Sequence, residues 1–217
     1  MNSDDKKTIR LYHYLESCWA LDDIARRRLK LSRIVDLNDP YEWACVYSTH
    51  LETRFTLENS RPNIANSHGL QSFSRDWDSI LMWSHYAQKH QGICMGFDIP
   101  RDLTQAVKYE SRVRIIGNLE ELSGKAKEDI IQRLNWTKYK GWSYEREHRS
   151  WAGRTEKDPD TGLYFVQFSE TLMLREVLLG ERCTVTRQEI RSALRENTDV
   201  KISKLCHHPT KFKMEVE

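Results

Sequence analysis

Residues 78–92, DSILMWSHYAQKHQG, run directly into ICMGFDI (93–99), and this junction constrains the fold more than any other part of the chain. Asp78 or Ser79 can cap a helix and Gly92 can stop it. Ile80, Leu81, Trp83, Ser84 and Ala87 leave a broad face for a core. The next seven residues alternate, with Ile93, Met95, Phe97 and Ile99 on one side and Cys94 and Gly96 on the other. This is a core helix feeding a core strand. The two small residues on one strand face call for close approach of a helix or a ligand.

The rest of the chain supplies elements of both kinds. Strands are expected at 9–14, 29–32, 70–74, 107–116, 143–151, 163–168, 175–180, 200–205 and 211–216. A helix follows Ser17, with Trp19 or Ala20, Leu21, Ile24 and Ala25 at helical spacing, and an amphipathic helix covers 119–138. Thr186 and Glu189 form a capping box for a helix reaching about Glu196. LNDPYE (37–42) and EKDPDTG (156–162) read as turns, and 52–69, with Asn59, Pro62, Asn63, Asn66 and Gly69, as a loop. Strands and helices mix without strict βαβ alternation. The expectation is one α+β domain over 1–217, its mixed or antiparallel sheets flanked by helices, with a core at about 9–180 and the segment 186–217 packed on it.

The chain has 217 residues and 30% of them are charged, so it can bury a real core and stay in water. No apolar run approaches the roughly 20 residues of a membrane span. MNSDDKKTIR has no apolar stretch after its charges and does not read as a secretory signal. Five cysteines, an odd number at irregular spacing, point to reduced thiols and a cytoplasmic setting. A net charge of +2 does not by itself imply a nucleic-acid partner.

KGWSYEREHRSW (140–151) carries the densest chemistry. Read as a strand, it places Glu145, Glu147, Arg149 and Trp151 on one face and Tyr144, Arg146 and His148 on the other. Two neighbouring carboxylates need compensation, so the group is a buried ion-pair network with Arg149, a solvated edge, or a chemical site. His85 and Tyr86, with His90 nearby, bring further polar tips that could line a pocket. The spacings of His85, His90 and Cys94, and of Cys206, His207 and His208, are not those of a structural zinc site, and no metal is expected. No G-x-S-x-G, phosphate loop or dinucleotide G-x-G-x-x-G is present.

LYHY, LKLSRIVDLNDPYE, SFS, MWSHYAQKHQGICMGFD and YEREHR together resemble a widespread bacterial family classed as a domain of unknown function, over about residues 11–180. That resemblance carries no activity. A second one does. His13, then Ser72-Phe73-Ser74, then Glu145-Arg146-Glu147 stand in an order similar to that of ADP-ribosyltransferases. Those enzymes carry a His or Arg on the first strand, Ser-x-Ser on a middle strand and Glu-x-Glu or a lone Glu on a later one.

The second resemblance implies NAD as substrate. Glu147 would be the catalytic carboxylate and Glu145 would orient the acceptor. His13, Tyr14, Ser72, Ser74, His85 and Tyr86 would form the nucleotide pocket. Breaking the N-glycosidic bond of NAD builds an oxocarbenium ion, which a nearby carboxylate stabilises. The acceptor would be a protein or a nucleic acid, and the setting a toxin or phage-defence effector. Two other classes stay open. One is a sensor that holds a nucleotide without turning it over. The other is a metal-dependent nuclease using Asp39, Glu42, Glu145 and Glu147.

Overall fold

The computed structural model describes residues 7–154, 156–195 and 199–217. In chain order the elements are β1 (Thr8–Leu15), α1 (Ser17–Arg26), β2 (Arg28–Leu31), β3 (Val46–Ser48), α2 (Leu51–Ser67), β4 (His68–Ser74) and α3 (Ile80–Tyr86). Then come β5 (Ile93–Pro100), β6 (Gln105–Ala106), β7 (Lys108–Glu110), β8 (Arg114–Ile116), α4 (Gly124–Trp136), β9 (Thr137–Tyr139) and β10 (Glu147–Gly153). β11 (Tyr164–Gln167), β12 (Met173–Leu179), α5 (Arg187–Leu194), β13 (Lys201–His207) and β14 (Met214–Val216) complete the chain.

Eight strands form one sheet in the order β14-β13-β12-β5-β1-β4-β10-β6. Within it β12 and β13 are parallel, joined through α5, and the other neighbours run antiparallel. The α+β expectation holds, and the sheet is mixed. One face buries Leu11, Phe73, Met95 and Phe97 against α1 and α5. The other buries Tyr12, Tyr14 and Cys94 under Met82 and Trp83 of α3. A third cluster, with Ile34, Trp43, Leu70, Ile130 and Leu134, ties α2 and α4 to the β4 end of the sheet.

β5 reads in the structure as it does in the sequence. Its small-residue face is small for two reasons. Trp83 of α3 joins the cluster around Cys94. At Gly96 a Cβ would meet Glu176 Cγ at 2.5 Å and Tyr12 Cε1 at 3.1 Å, so the close neighbours there are side chains of adjacent strands. Glu176 is held in that position by the guanidinium of Arg10 at 2.7 Å and the hydroxyl of Tyr12 at 3.2 Å.

Several expected boundaries move. The expected loop 52–69 is mostly helix, α2, with Pro62 inside it. The strand expected at 107–116 is two short strands, β7 and β8. The helix expected from 119 begins at Gly124, capped by the Ser123 hydroxyl, and is preceded by a 3-10 turn at Leu119–Glu121. α3 is shorter than 78–92, because Gln88, Lys89 and His90 take left-handed backbone angles (φ 50°, 53° and 69°) before β5. The capping box at Thr186 and Glu189 is formed. The expected end of that helix near Glu196 lies outside the described residues. Cys18, Cys45, Cys94, Cys183 and Cys206 are free thiols. Among the described residues no helix is long and apolar enough to cross a membrane.

Candidate functional site: a cavity where two central strands part

β1 pairs with β5 along its whole length, Thr8↔Pro100 to Leu15↔Ile93, and β4 pairs with β10 from Glu147↔Ser74 to Gly153↔His68. Between them, β1 and β4 meet at one pair, Tyr12↔Ser74. Past that pair the ladder stops in the middle of the sheet. The His13 imidazole takes over one ladder position, its Nδ1 lying 2.8 Å from the Ser72 carbonyl oxygen. A carbonyl only accepts, so Nδ1 carries the proton and Nε2 keeps a free lone pair. Burial lowers the His13 pKa and the ring stays neutral.

A cavity of about 260 Å3 occupies this parting. His13 and Tyr14 of β1, Ser72 and Ser74 of β4, Tyr86 of α3, and Glu145 and Glu147 all line it. Seven of the eight residues named from the sequence therefore share one wall system. His85 does not: it is exposed, its ring 5.9 Å from that of Tyr144. Tyr14 donates its hydroxyl to the Asp76 carbonyl at 2.8 Å and stands edge-on to Trp83. The Ser74 hydroxyl donates to the Glu145 carbonyl at 2.7 Å and accepts from the Asp76 amide at 3.2 Å. Ser74 thus positions the Glu145 backbone, and Ser72 lines the cavity together with Glu147.

The single-strand reading of 143–151 is corrected here. Lys140–Glu145 is a 3-10 turn, Arg146 takes a left-handed φ of 45°, and the strand starts at Glu147. The turn brings Glu145 to the cavity by its own route. Both carboxylates are buried, each 4% exposed, which rules out the solvated edge among the three readings of the pair.

Their compensation is a network that also includes Glu42, from the DPYE turn. Lys138 Nζ sits among three carboxylates, at 2.7 Å from Glu145, 3.3 Å from Glu42 and 3.5 Å from Glu147. Arg149, fully buried, grips both oxygens of Glu147 (Nε–Oε1 2.7 Å, Nη2–Oε2 3.0 Å) and donates to Glu42 at 2.7 Å. The ion-pair reading and the pocket reading are therefore both realised: Glu147 is the partner of Arg149 and lines the cavity.

The two glutamates titrate in opposite senses. Burial opposes the charge of Glu147, but Arg149 and Lys138 outweigh it and hold its pKa below the ordinary value. Burial dominates at Glu145 and raises its pKa, against Lys138 and the Tyr86 hydroxyl, which donates to Oε1 at 2.5 Å. Burial and Glu145 together raise the Tyr86 pKa, so that hydroxyl remains a donor. Three carboxylates face two cations, which leaves one negative charge in excess.

Two polar atoms in the lining groups lack partners: Glu42 Oε2 and Gln71 Nε2. Glu42 was legible as part of LNDPYE, and Arg149 as the cation of its strand face. Lys138 gave no signal, because its partners are 7, 9 and 96 positions away. Asp39 lies apart, its carboxylate accepting the Tyr41 amide at 2.9 Å. The other three carboxylates of the nuclease reading, Glu42, Glu145 and Glu147, are engaged by Lys138 and Arg149. Among the described residues no group of three or more His, Cys, Asp or Glu is arranged to hold a metal.

Residues 82–150 match the model of a family described as a protein of unknown function (DUF2971). The match contains Tyr86, Lys138, Glu145, Glu147 and Arg149 and leaves His13, Glu42, Ser72 and Ser74 outside it. No curated protein and no solved structure matches the chain.

Proposed function

We propose that the protein cleaves the N-glycosidic bond of NAD and transfers the ADP-ribosyl group, in the manner of ADP-ribosyltransferases. The observation that carries this reading is the convergence of three sequence segments, at 13, 72–74 and 145–147, on one cavity between parted strands, with two carboxylates tuned apart. Glu147, a fixed anion, accepts the ribose 2′-hydroxyl and stabilises the oxocarbenium ion as it forms. The C1′–N bond breaks with its electron pair leaving on nicotinamide. The acceptor adds to C1′, and its proton passes to Glu145, whose raised pKa suits a general base. The excess negative charge of the cluster, with Glu147 at the ribose, favours the transition state in which the positive charge of the pyridinium ring moves onto the ribose. His13 offers its free Nε2 to a ribose hydroxyl of the substrate.

The test is nicotinamide release from NAD, followed chromatographically. Glu145→Gln keeps the shape of the side chain and removes the base. The expected result is release by the native protein and a fall of about 100-fold or more in the variant. Undiminished release by Glu145→Gln would overturn the assignment. The second reading, a nucleotide sensor, is favoured by the grip of Arg149 on both Glu147 oxygens. It is the outcome if NAD binds saturably and no nicotinamide appears.

A further inference from the structure

Group transfer needs two adjacent sites, and a second cavity adjoins the first. It measures about 290 Å3 and shares one wall residue with the first, Lys138, which is buried. Its lining is otherwise different in kind. Tyr41 and Tyr139 present their rings at 76% and 60% exposure, with Ala44, Val113 and Arg112 beside them. Arg112 is exposed and forms no ion pair among the described residues. The carboxylate of the lining, Glu110, is taken by Arg133. Through Tyr41, Ala44 and Val113 the cavity continues into an apolar groove of about 620 Å3 that also carries Tyr47 and Arg61. On its other side Glu110 and Thr137 lead to a hollow where Lys108 and Arg114 stand against Asp129.

Exposed aromatic rings beside an unpaired cation, here Tyr41 and Tyr139 beside Arg112, are what single-stranded nucleic acid requires: rings for the bases to stack on and positive charge for a phosphate. An aromatic peptide segment would use the rings and leave Arg112 unmatched. We infer that the second cavity is the acceptor site and that it receives a base of single-stranded nucleic acid. The base would lie against Tyr41 and Tyr139, with a phosphate on Arg112. This rests on the transfer reading above. The bond formed is from a base nitrogen to C1′, the bond broken is C1′ to nicotinamide, and the nitrogen's proton goes to Glu145, which is joined to the shared wall through Lys138.

Fluorescence anisotropy of a labelled 12-mer, as DNA and as RNA, tests the site without NAD present. The expected result is saturable binding to at least one of the two that weakens with salt, and exceeds binding to a duplex of the same sequence. Tyr139→Ala and Arg112→Glu should each weaken it about tenfold, and Tyr139→Phe should retain it. Both positions are exposed, so thermal melting checks that the variants fold. Absence of binding, equal binding of duplex, or binding indifferent to both variants would overturn the acceptor assignment. Nicotinamide release without any oligonucleotide binding would overturn it while leaving NAD cleavage intact. Transfer of label from NAD to protein and never to the oligonucleotide would also overturn it.

Discussion

Glu145 and Glu147 stand two positions apart and titrate in opposite directions, because a turn delivers one to Tyr86 and Lys138 while a strand delivers the other to Arg149. The pH profile should show this. Raised by burial, Glu145 holds its proton above the ordinary glutamate range, so a base at this position is lost as pH falls through that raised value. The acid limb of kcat/KM for NAD should therefore lie above pH 4.5, and Glu145→Gln should flatten it. Stability responds at Glu147. Its folded pKa is depressed, so its contribution is present above the unfolded value and is lost as pH falls through the folded one. Glu147→Gln leaves Arg149 with Glu42 as its remaining carboxylate. The expected cost is about 3 kcal/mol, read as a lower thermal midpoint at pH 7 that narrows towards acid pH. An unchanged midpoint would mean that the carboxylate is not needed to balance Arg149. Much of this was legible: the residue types at 13, 72, 74, 145 and 147 pointed to one site. The places of Lys138 and Glu42 in the network were not, since they depend on a contact distant in sequence, and burial of the pair was one of three open readings.

At the scale of elements, α2 shows where local pattern fails. LETRFTLENSRPNIANS has no apolar stripe, carries Pro62 in its interior, and buries only Thr53 and Ala65 fully. Its helix is imposed by tertiary cover, with Leu57 and Ile64 packed against the third cluster. Pro62 removes one backbone donor from the ladder, so Pro62→Ala should stabilise the protein. The gain is offset in part by the freer unfolded chain. A rise in thermal midpoint of about 4 °C is expected, and a fall would show that the proline ring is itself a packing element. β5, by contrast, was legible because it is buried almost throughout and its period is intact. The segment 143–151 misled because its alternation is real only from Glu147 onward. The left-handed Arg146 shifts the phase of everything before it.

For the whole molecule, the sheet has an edge in its interior. β1 and β4 are both central strands, each fully paired on its outer side, yet past Tyr12↔Ser74 they face each other across a hollow. Amide protons report such a place directly, because the rate at which one exchanges with solvent depends on whether its hydrogen bond ever opens. The exchange map should show an island of fast amides, within 13–15 and 71–73, enclosed by some of the slowest protons in the protein on β5. In most sheets protection falls smoothly from centre to rim; here it should dip in the middle. A ligand seated in the parting would slow the island and leave the rim unchanged. A sheet that exchanges from its centre outward is also one whose halves can shift relative to each other without any outer strand letting go.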